Sequence, residues 1–518
     1  MRRSSALATW LPAGVVFILA LAAYGATLAP SITWQHDGAD SGDLATAAWV
    51  GGVPHPPGYP TYMLLAGLFA RLSPAEPARG VNWLSAFSAA VAGALTAAGV
   101  ARLLAGSRAA PEPQPEAPRA GLAAGVFSAV AGLLFAFSST LWSQAVIAEV
   151  YALGAACAAG LLLLALLTWQ TTGSMRLRRL VWSIGFLLGL AAGAHLTVLL
   201  LTPALIWLVA SRLRSNDQRA GTWIGAGAFV LLGLAIFLTL PLRAMADPLV
   251  NWGDPRTPAR LLWLVSGRLY HSYAFSFPLQ LLPARLSAWL ALLRAQFGLW
   301  GIGLALAGVW YLFSRQRRVA LFTLLAYFAL VVYALGYDTG DSYVYLISSH
   351  IPFVWWIGYG LWSLWGELAG WRPAARRAIA VALLVVLLPL APLLTNAPAM
   401  DLRQDFAARD YAVGALSGVA PDALLLVERD AQTFALWYAA GALGLRPDVV
   451  IVSVELYEFD WYRASLSRRQ PAWVAAMSVA DLIEANRRLR PIYLTNTESP
   501  LAGLYTWQPA GALLRLQP

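Results

Sequence analysis

Long apolar runs separated by short basic segments dominate the first 400 positions of the chain. A helix needs about 20 mainly apolar residues to cross a bilayer, so each run predicts one membrane-spanning helix. The first run follows Met1-Arg2-Arg3 and is too long for a signal peptide, which makes it an uncleaved span. The predicted spans are residues 10–28, 81–104, 120–140, 150–169, 221–241, 296–314, 319–337, 351–366 and 377–396.

The apolar stretch 180–210 is predicted to cross the membrane twice. Short arginine-rich loops stay in the cytoplasm, and a single crossing here would place several later arginine clusters outside. We therefore expect two short arms, 180–193 and 196–210, which meet near His195 and return the chain to the cytoplasm. About 11 transmembrane segments result, with the amino terminus in the cytoplasm. The long non-cytoplasmic segments are then 29–80, 242–295 and 397–518.

The pattern changes after residue 396, where short runs of β-branched and apolar residues alternate with helical spacing. This alternation favours a small α/β domain with a parallel sheet. The segment has no glycine loop of the kind that holds phosphate, so we predict no catalytic role for it. The chain divides into a membrane domain, 1–396, and an extracytoplasmic α/β domain, 397–518. The predicted strands are Ala423–Val427, Asp448–Val454 and Pro491–Thr495.

Composition agrees with an integral protein of the cytoplasmic membrane. Hydrophobic residues make up 59% of the chain and charged residues 12%, whereas soluble domains have roughly 45–50% and 25%. The net charge of +10 is spread over small clusters between the apolar runs, which is a topology pattern and argues against nucleic acid as a partner. Cys157 is the single cysteine, so an internal disulfide and a cysteine metal site are excluded.

Three aspartates in the first outer loop are spaced by three: Asp37, Asp40 and Asp43. On a helix they would share one face, where three carboxylates repel unless something uses them. They could serve as a general base, hold a divalent cation, or pair with cationic side chains. The alternative is a solvated acidic loop that caps a helix.

The segment His55-Pro56-Pro57-Gly58-Tyr59-Pro60 follows in the same loop. Its prolines fix φ and remove hydrogen-bond donors, which excludes a helix or a central strand and predicts a rigid turn. Rigidity beside acidic groups suits a preorganised site, although the turn could simply stiffen the loop.

These two motifs together resemble the GT-C membrane glycosyltransferases related to transmembrane protein 260. Asp40-Ser41-Gly42-Asp43 followed by His55–Pro60 carries the resemblance, and Asp43 stands where the family more often has glutamate. The resemblance covers roughly residues 10–360 and implies transfer of a sugar, mannose in the best-known member, from a polyprenyl-phosphate donor to serine or threonine of exported protein. Two further segments resemble the family: Gln144–Tyr151 and the run of small residues that leads to His195. Tyr438 and Arg446–Val449 resemble it more loosely.

A hydroxyl acceptor needs a base, because an aliphatic alcohol is a poor nucleophile. We assign Asp40 as this base, with Asp43 as the second catalytic acid, and direct attack on the sugar phosphate would invert the anomeric centre. The departing phosphate needs cationic partners. Candidates are Arg243, Arg256, Arg260, Arg268, His55 and His195. The arginines lie among tryptophans and could instead anchor the protein at the membrane surface, and His195 could be structural.

Other polar residues complete the predicted substrate site. They are Asp37, Tyr59, Glu149, Tyr151, Asp338 and Asp341. Carboxylates and tyrosine rings can bind a sugar by hydrogen bonds and stacking, but Glu149 could be merely solvated and the segment 338–345 an ordinary polar turn. No complete metal-ligand spacing occurs, so a divalent cation is permitted and not required.

A membrane transporter or a flippase-like carrier of lipid-linked sugars is the alternative function. A transporter should show charges at mid-membrane depth and an inverted repeat. We find no repeat, and the acidic residues concentrate in an outer loop. The sequence therefore favours chemistry with a lipid-linked donor and a protein or envelope-glycan acceptor.

Overall fold

The computed structural model describes residues 2–107, 117–213, 219–367, 374–470, 476–496 and 499–517. Its helices are α1 Arg2–Gly25, α2 Ser41–Val50, α3 Pro60–Arg71, α4 Pro77–Ser107, α5 Ala117–Ala136, α6 Ser139–Ala145, α7 Tyr151–Gln170, α8 Ser174–Ala192, α9 Thr202–Leu213, α10 Arg219–Leu234, α11 Thr239–Ala244, α12 Pro258–Val265, α13 Leu282–Arg315, α14 Arg317–Gly336, α15 His350–Glu367, α16 Ala374–Met400, α17 Ala407–Ser417, α18 Asp430–Trp437, α19 Asp460–Arg469, α20 Val479–Asn486 and α21 Pro500–Leu504. Its strands are β1 Leu424–Val427, β2 Val450–Ser453, β3 Ile492–Leu494, β4 Trp507–Ala510 and β5 Leu513–Leu516.

Within these residues, seven helices are long and apolar enough to cross a membrane, and the pair α5 and α6, bent by 66°, gives an eighth if it counts as one span. Helices α1, α8 and α15 account for the other predicted segments. The predicted class, a helical multi-pass membrane protein with a small carboxyl-terminal α/β part, is confirmed. The seven are Pro77–Gly106, Tyr151–Gln170, Leu196–Leu213, Arg219–Ala244, Leu279–Arg315, Arg317–Gly336 and Ala382–Met400.

The chain does turn at His195, but the two arms are longer than predicted. Helix α8 begins at Ser174 and the second arm runs over Leu196–Leu213, so the expected short arms 180–193 and 196–210 are wrong in length. With a rise of 1.5 Å per residue, each arm reaches about 27 Å, close to the thickness of the hydrocarbon core. The backbone of His195 is extended, with φ −162° and ψ 130°, which separates the two helices.

The arginine-bearing ends of several helices meet at one end of the bundle. Gln170 at the end of α7 donates to the carbonyl of Arg102 at 2.9 Å. Arg212 of α9 donates to the carbonyl of Thr171 at 2.6 Å. The guanidinium of Arg318 lies 5.6 Å from the ring centroid of Trp169. Helix ends that are distant in sequence therefore form one basic surface.

Small residues let α13 and α15 approach closely. A Cβ atom on Gly308 of α13 would overlap the carbonyl of Trp356, and one on Gly360 of α15 would overlap the carbonyl of Leu304. Lipid gives no hydrophobic drive for helix association, so close backbone contact between small residues supplies the packing energy.

The carboxyl-terminal part contains a five-stranded sheet in the order β2-β1-β3-β5-β4. Strands β2, β1 and β3 are parallel, as the alternation predicts, and β1 is buried along its whole length. The antiparallel pair β5 and β4 was not predicted. Helix α16 continues to Met400, past the predicted boundary at residue 396.

This sheet domain packs directly on the outer loops of the membrane part. Leu44, Trp252 and Phe434 belong to one buried apolar cluster that spans both parts. A Cβ atom on Gly42 of α2 would lie 2.5 Å from the carbonyl oxygen of Phe434 in α18. The helix that follows the acidic motif is therefore pressed against the carboxyl-terminal domain.

Replacing Gly308 by alanine should weaken the α13–α15 contact. The added methyl group forces the helices apart, and overpacking of this kind costs about 1–3 kcal/mol. We expect a lower thermal unfolding midpoint of the purified protein in detergent. The matched control is Gly303→Ala on the same helix, where nothing lies within 4 Å of the added Cβ. Equal midpoints for the two variants would contradict the close crossing.

Candidate active site

A cavity of about 330 Å³ lies between one end of the membrane helices and the carboxyl-terminal domain. Its walls come from the first outer loop, the turn between α8 and α9, the loop after α12, the end of α14 and the start of α18. Of the predicted site residues, those that line it are Asp40, His55, Tyr59, Tyr151, His195 and Asp341.

The three aspartates of the first loop do not share a helix face, contrary to the prediction. His36 and Asp37 both have φ 59°, so a short 3₁₀ segment, Gln35–Asp40, changes direction before α2 begins at Ser41. The carboxylate of Asp37 turns away and accepts a hydrogen bond from the hydroxyl of Tyr343 at 2.8 Å. Only Asp40 reaches the cavity.

Asp43 lies beneath the cavity and is fully buried. Its Oδ2 accepts hydrogen bonds from the backbone N–H of His55 at 3.0 Å and from the ring Nδ1 of His55 at 2.8 Å. Its Oδ1 accepts from the indole Nε1 of Trp252 at 3.0 Å. Asp43 does not line the cavity, and its carboxylate contacts the ring of His55, which does.

The orientation that Asp43 imposes turns the other ring nitrogen of His55 towards Asp40. Nε2 of His55 lies 3.5 Å from Oδ2 of Asp40. The His55 side chain is 7% exposed and that of Asp40 43% exposed. Asp40, His55 and Asp43 thus form a line from the cavity into the protein interior.

The proline-rich segment forms the predicted tight turn. The N–H of Gly58 donates to the carbonyl of His55 at 2.9 Å. Gly58 and Tyr59 have φ 85° and 40°, and a left-handed backbone is most readily adopted by glycine. The turn places the Tyr59 ring 5.1 Å from that of His55 and stacks it on His195 at 6.2 Å.

The ionisation of Asp40 and His55 is strongly coupled. Burial alone would lower the pKa of His55, but the charge of Asp40 and the hydrogen bond to Asp43 raise it to about 9. The imidazole is therefore protonated at neutral pH. Burial raises the pKa of Asp40, and the charges of Asp43 and Asp341 act in the same direction, while the charge of His55 lowers it. Protein atoms around the cavity limit hydration of Asp40 even though its carboxylate faces open space.

His195 differs from His55 in charge. Burial, together with the positive charge of His55, lowers the pKa of His195 to about 4, so this ring is neutral at pH 7. Its Nδ1 accepts the backbone N–H of Thr197 at 3.3 Å and lies 2.6 Å from the Thr197 hydroxyl. These contacts assign the ring proton to Nε2.

Glu149 and Tyr151 lie at the outer end of α7. Glu149 is 4% exposed and does not line the cavity, and its Oε2 accepts the backbone N–H of Val150 at 3.3 Å. Burial, with the charge of Asp40, raises the pKa of Glu149 well above its usual value. Tyr151 reaches the cavity, and its ring lies 5.1 Å from that of His195.

None of the four predicted phosphate-binding arginines lines the cavity. Arg243 donates to the carbonyl of Gly52 at 3.2 Å, and Arg268 is exposed outside the cavity wall. Arg256 pairs with Asp247 and Asp254, and Arg260 pairs with Asp254 and Asp460. Arg468 of α19 joins the same carboxylates. Arg243, Arg260 and Arg468 thus connect the second outer loop to other elements, whereas the ion pairs of Arg256 lie within the loop itself.

Asp338 is likewise outside the cavity, since it pairs with Arg285 of α13. Sequence reasoning also missed several residues that line the cavity. The tyrosines were visible as a cluster near residues 270 and 337, but Asp430 of α18 had no local signal. The missed residues include Tyr270, Tyr273, Tyr333, Tyr337, His271 and Asp430. Within the described ranges, no group of three or more His, Cys, Asp or Glu side chains could hold a metal ion.

The whole architecture matches solved membrane proteins of the GT-C fold. ArnT from Cupriavidus metallidurans bound to undecaprenyl phosphate aligns over 97% of both chains with a TM-score of 0.57 and 15% identity. The apo state of that protein gives a TM-score of 0.59 and 14% identity over the same shares. The Archaeoglobus fulgidus oligosaccharyltransferase in complex with Zn and sulfate aligns with 93% of this chain and 68% of its own, with a TM-score of 0.52 and 12% identity. The chain is thus a membrane protein of the GT-C fold.

Two segments of the chain also match known protein domains by sequence. Residues 40–219 match the protein O-mannosyl-transferase TMEM260 N-terminal domain, and residues 408–473 match the TMEM260-associated domain 2. The resemblance to the TMEM260 family that the first-loop motifs indicated is confirmed, since those motifs lie within the first matched segment.

Two curated relatives are named protein O-mannosyl-transferase TMEM260. The Mus musculus protein is 27% identical over 481 residues, which cover 88% of this chain and 64% of the relative. The Dictyostelium discoideum protein is 23% identical over 544 residues, which cover 93% and 63%. The chain spans less than two thirds of the length of both relatives.

The protonation state of His55 can be measured directly. We expect its imidazole to titrate near pH 9 in the folded protein, so the stabilisation from its ion pairs is complete below pH 6.5 and is lost as the pH rises to about 9. Asp43→Asn should lower this pKa, because it removes a negative charge beside the ring and weakens the hydrogen bond that favours the protonated form. NMR of protein labelled at histidine, assigned with His55→Gln, gives the titration.

The control for this experiment is Asp410→Asn, an exposed aspartate in the first turn of α17. It should leave the His55 titration unchanged. A His55 resonance that titrates at or below pH 6.5 in the unmodified protein would refute the ion-pair geometry.

Proposed function

We propose that the chain transfers a sugar from a polyprenyl-phosphate donor to a hydroxyl group of an extracytoplasmic acceptor. The names of the curated relatives support mannose as the sugar and serine or threonine of protein as the acceptor. The observation that carries the proposal is the Asp40 carboxylate, which faces the cavity beside a protonated His55 that Asp43 holds in place.

Asp40 acts as the general base. The acceptor oxygen attacks the anomeric carbon while its proton passes to Asp40, the bond from that carbon to the phosphate oxygen breaks, and the phosphate leaves with the electron pair. Attack opposite the leaving group inverts the anomeric centre. The base must be ionised before it can act, and the positive charge of His55 opposes the effect of burial on Asp40.

The donor phosphate binds at the His195 end of the cavity. A phosphate is repelled by carboxylates, whereas neutral His195 offers its Nε2 proton and Tyr59, Tyr151 and Tyr345 surround its ring. His195 is also the link between two membrane helices, so a lipid tail at this end can remain in the bilayer. In the described part of the chain no arginine lines this cavity, so neutral donors meet the phosphate.

The sugar itself lies among the tyrosines and Asp341. Tyr345 packs within 5.0 Å of Tyr337 and 5.6 Å of Tyr333, which gives a continuous aromatic wall. Aromatic rings stack on the apolar face of a sugar, and a carboxylate such as Asp341 accepts hydrogen bonds from its hydroxyl groups.

The cavity opens to the non-cytoplasmic side. The basic surface formed by the ends of α7, α9 and α14 lies at one end of the bundle, and basic loops stay in the cytoplasm. Helix α7 runs from Tyr151 at the cavity to Gln170 at that surface. The outer loops and the carboxyl-terminal domain therefore face away from the cytoplasm, where a lipid-linked sugar and an exported protein meet.

A carrier of lipid-linked sugars would need the phosphate site but no base. The relatives named as transferases favour group transfer, and the Asp43–His55–Asp40 arrangement supplies the base that transfer to a hydroxyl group needs. Transfer is therefore the function that we propose, and we set the carrier aside.

Replacing Asp40 by asparagine should reduce transfer by at least about 100-fold, the lower range for loss of a general base. The measurement is transfer of labelled mannose from polyprenyl-phosphate mannose to a threonine-containing peptide by the purified protein. Donor binding should persist, because asparagine keeps the shape of the side chain. Asp410→Asn is the control, and undiminished transfer by Asp40→Asn would refute the assigned base.

Replacing His55 by glutamine should move the acid limb of the pH–rate profile to higher pH. The positive charge of His55 lowers the pKa of Asp40, so its loss leaves Asp40 protonated at pH values where the unmodified enzyme is active. The rate at the plateau should fall as well, because the ring also orients the base. A profile that keeps its acid limb in place would show that Asp40 is not the titrating base.

A further inference from the structure

Asp430 is the one carboxylate that the carboxyl-terminal domain contributes to the cavity wall among the described residues. It is the first residue of α18, directly after β1 and the two residues that follow it. Its carboxylate makes no hydrogen bond or ion pair within the described part of the chain, and its side chain is exposed to the cavity. A free carboxylate in a substrate cavity is available to a ligand.

Helix α18 is held firmly on the first outer loop. The indole Nε1 of Trp34 donates to the carbonyl of Ala431 at 3.1 Å. The carbonyl of Phe434 contacts Gly42 so closely that no larger residue fits there. These contacts lie on either side of Asp40 in sequence, so Asp430 has a defined position relative to the base.

Asp430 and Asp40 line the same cavity, together with Tyr270. Burial raises the pKa of Asp430 to about 6, and the charges of Glu455 and Asp40 act in the same direction, while the charge of His55 lowers it. Because they share this wall, Asp430 and Asp40 face a common space within the cavity.

This space is unsuited to the donor phosphate. A phosphate that carries up to two negative charges would be repelled by both Asp40 and Asp430, and repulsion is strong where protein limits hydration. The phosphate end is at His195, on the wall built by the membrane helices. In an inverting displacement the acceptor enters opposite the leaving group, which leaves the Asp430 side for the acceptor.

We propose that Asp430 binds the acceptor and selects acceptors that present an N–H donor or a positive charge beside the reacting hydroxyl. The inference rests on the proposed transferase function and deepens it. A peptide with basic residues next to its serine or threonine satisfies this requirement, because a carboxylate accepts hydrogen bonds and cannot donate them when ionised. An acidic peptide would be repelled.

The test uses the full chain in lipid nanodiscs with polyprenyl-phosphate mannose and two peptides. Both peptides carry the same threonine, flanked by lysines in one and by glutamates in the other. The unmodified protein should prefer the lysine peptide, and Asp430→Asn should raise the KM for that peptide about tenfold and abolish the preference. The KM for the donor and kcat at saturating peptide should change little, and Asp430→Glu should retain the preference.

Asp410→Asn is the matched control, since Asp410 also lies in the first turn of a helix of the same domain but outside the cavity. Peptide binding measured by fluorescence without donor gives a readout that does not depend on transfer. An unchanged preference in Asp430→Asn, or an equal rise in the donor KM, would overturn the role of Asp430. Absence of mannose transfer by the unmodified protein, with peptide selectivity still present in binding, would overturn the proposed function and leave the acceptor site standing.

Discussion

The geometry of the site depends on the hydrogen bonds that the buried carboxylate of Asp43 accepts from His55 and Trp252. An ionised carboxylate in the protein interior is costly unless donors satisfy it, and here three N–H groups from the first and second outer loops do so. Removing one partner of such a pair typically costs 3–5 kcal/mol. The same contacts that lower this cost fix the ring plane of His55. The chemistry proposed for Asp40 therefore depends on an interaction that lies outside the cavity.

The carboxyl-terminal domain is part of this arrangement. Trp252, whose indole donates to Asp43, packs against Trp461 of α19 at 5.9 Å and Phe434 of α18 at 6.2 Å. The ion pairs of Arg468 with Asp254 and Asp247 hold α19 against the second outer loop. A domain that looked from its sequence like an accessory therefore supports the indole, and through it the imidazole, at the centre of the cavity.

The sequence predicted those features whose causes are local. Hydropathy identifies the helices, because each must cover about the same membrane thickness with apolar residues, and arginine placement revealed the turn at His195. The position of Asp37 outside the cavity was not predicted. It depends on the left-handed backbone of His36 and Asp37, which no sequence pattern indicates. The structure places Arg243 and Arg260 away from the cavity through tertiary contacts, with Gly52 and Asp460 respectively. Arg256 pairs with Asp247 and Asp254 of its own loop, a choice of partner that the sequence does not reveal. Asp430 lines the cavity only because its domain packs on the membrane part. No short sequence motif indicates such packing.

Among the described residues, few cationic side chains line the cavity, and this suits the proposed base, because the negative charge of the bound donor would raise the pKa of Asp40. His55 lies between two carboxylates, so the cluster of Asp40, His55 and Asp43 carries a net negative charge when His55 is protonated. A bound phosphate adds negative charge nearby, and like charges raise the pKa of a carboxyl group. Asp40 would then hold a proton more tightly with donor bound than in the empty cavity, while the imidazolium keeps it ionised until the acceptor arrives. An arginine in the cavity would bind phosphate more strongly but would cancel this effect and lower the basicity of Asp40. In the proposed mechanism, neutral hydrogen-bond donors at His195 and the tyrosines bind the donor phosphate while Asp40 keeps its basicity.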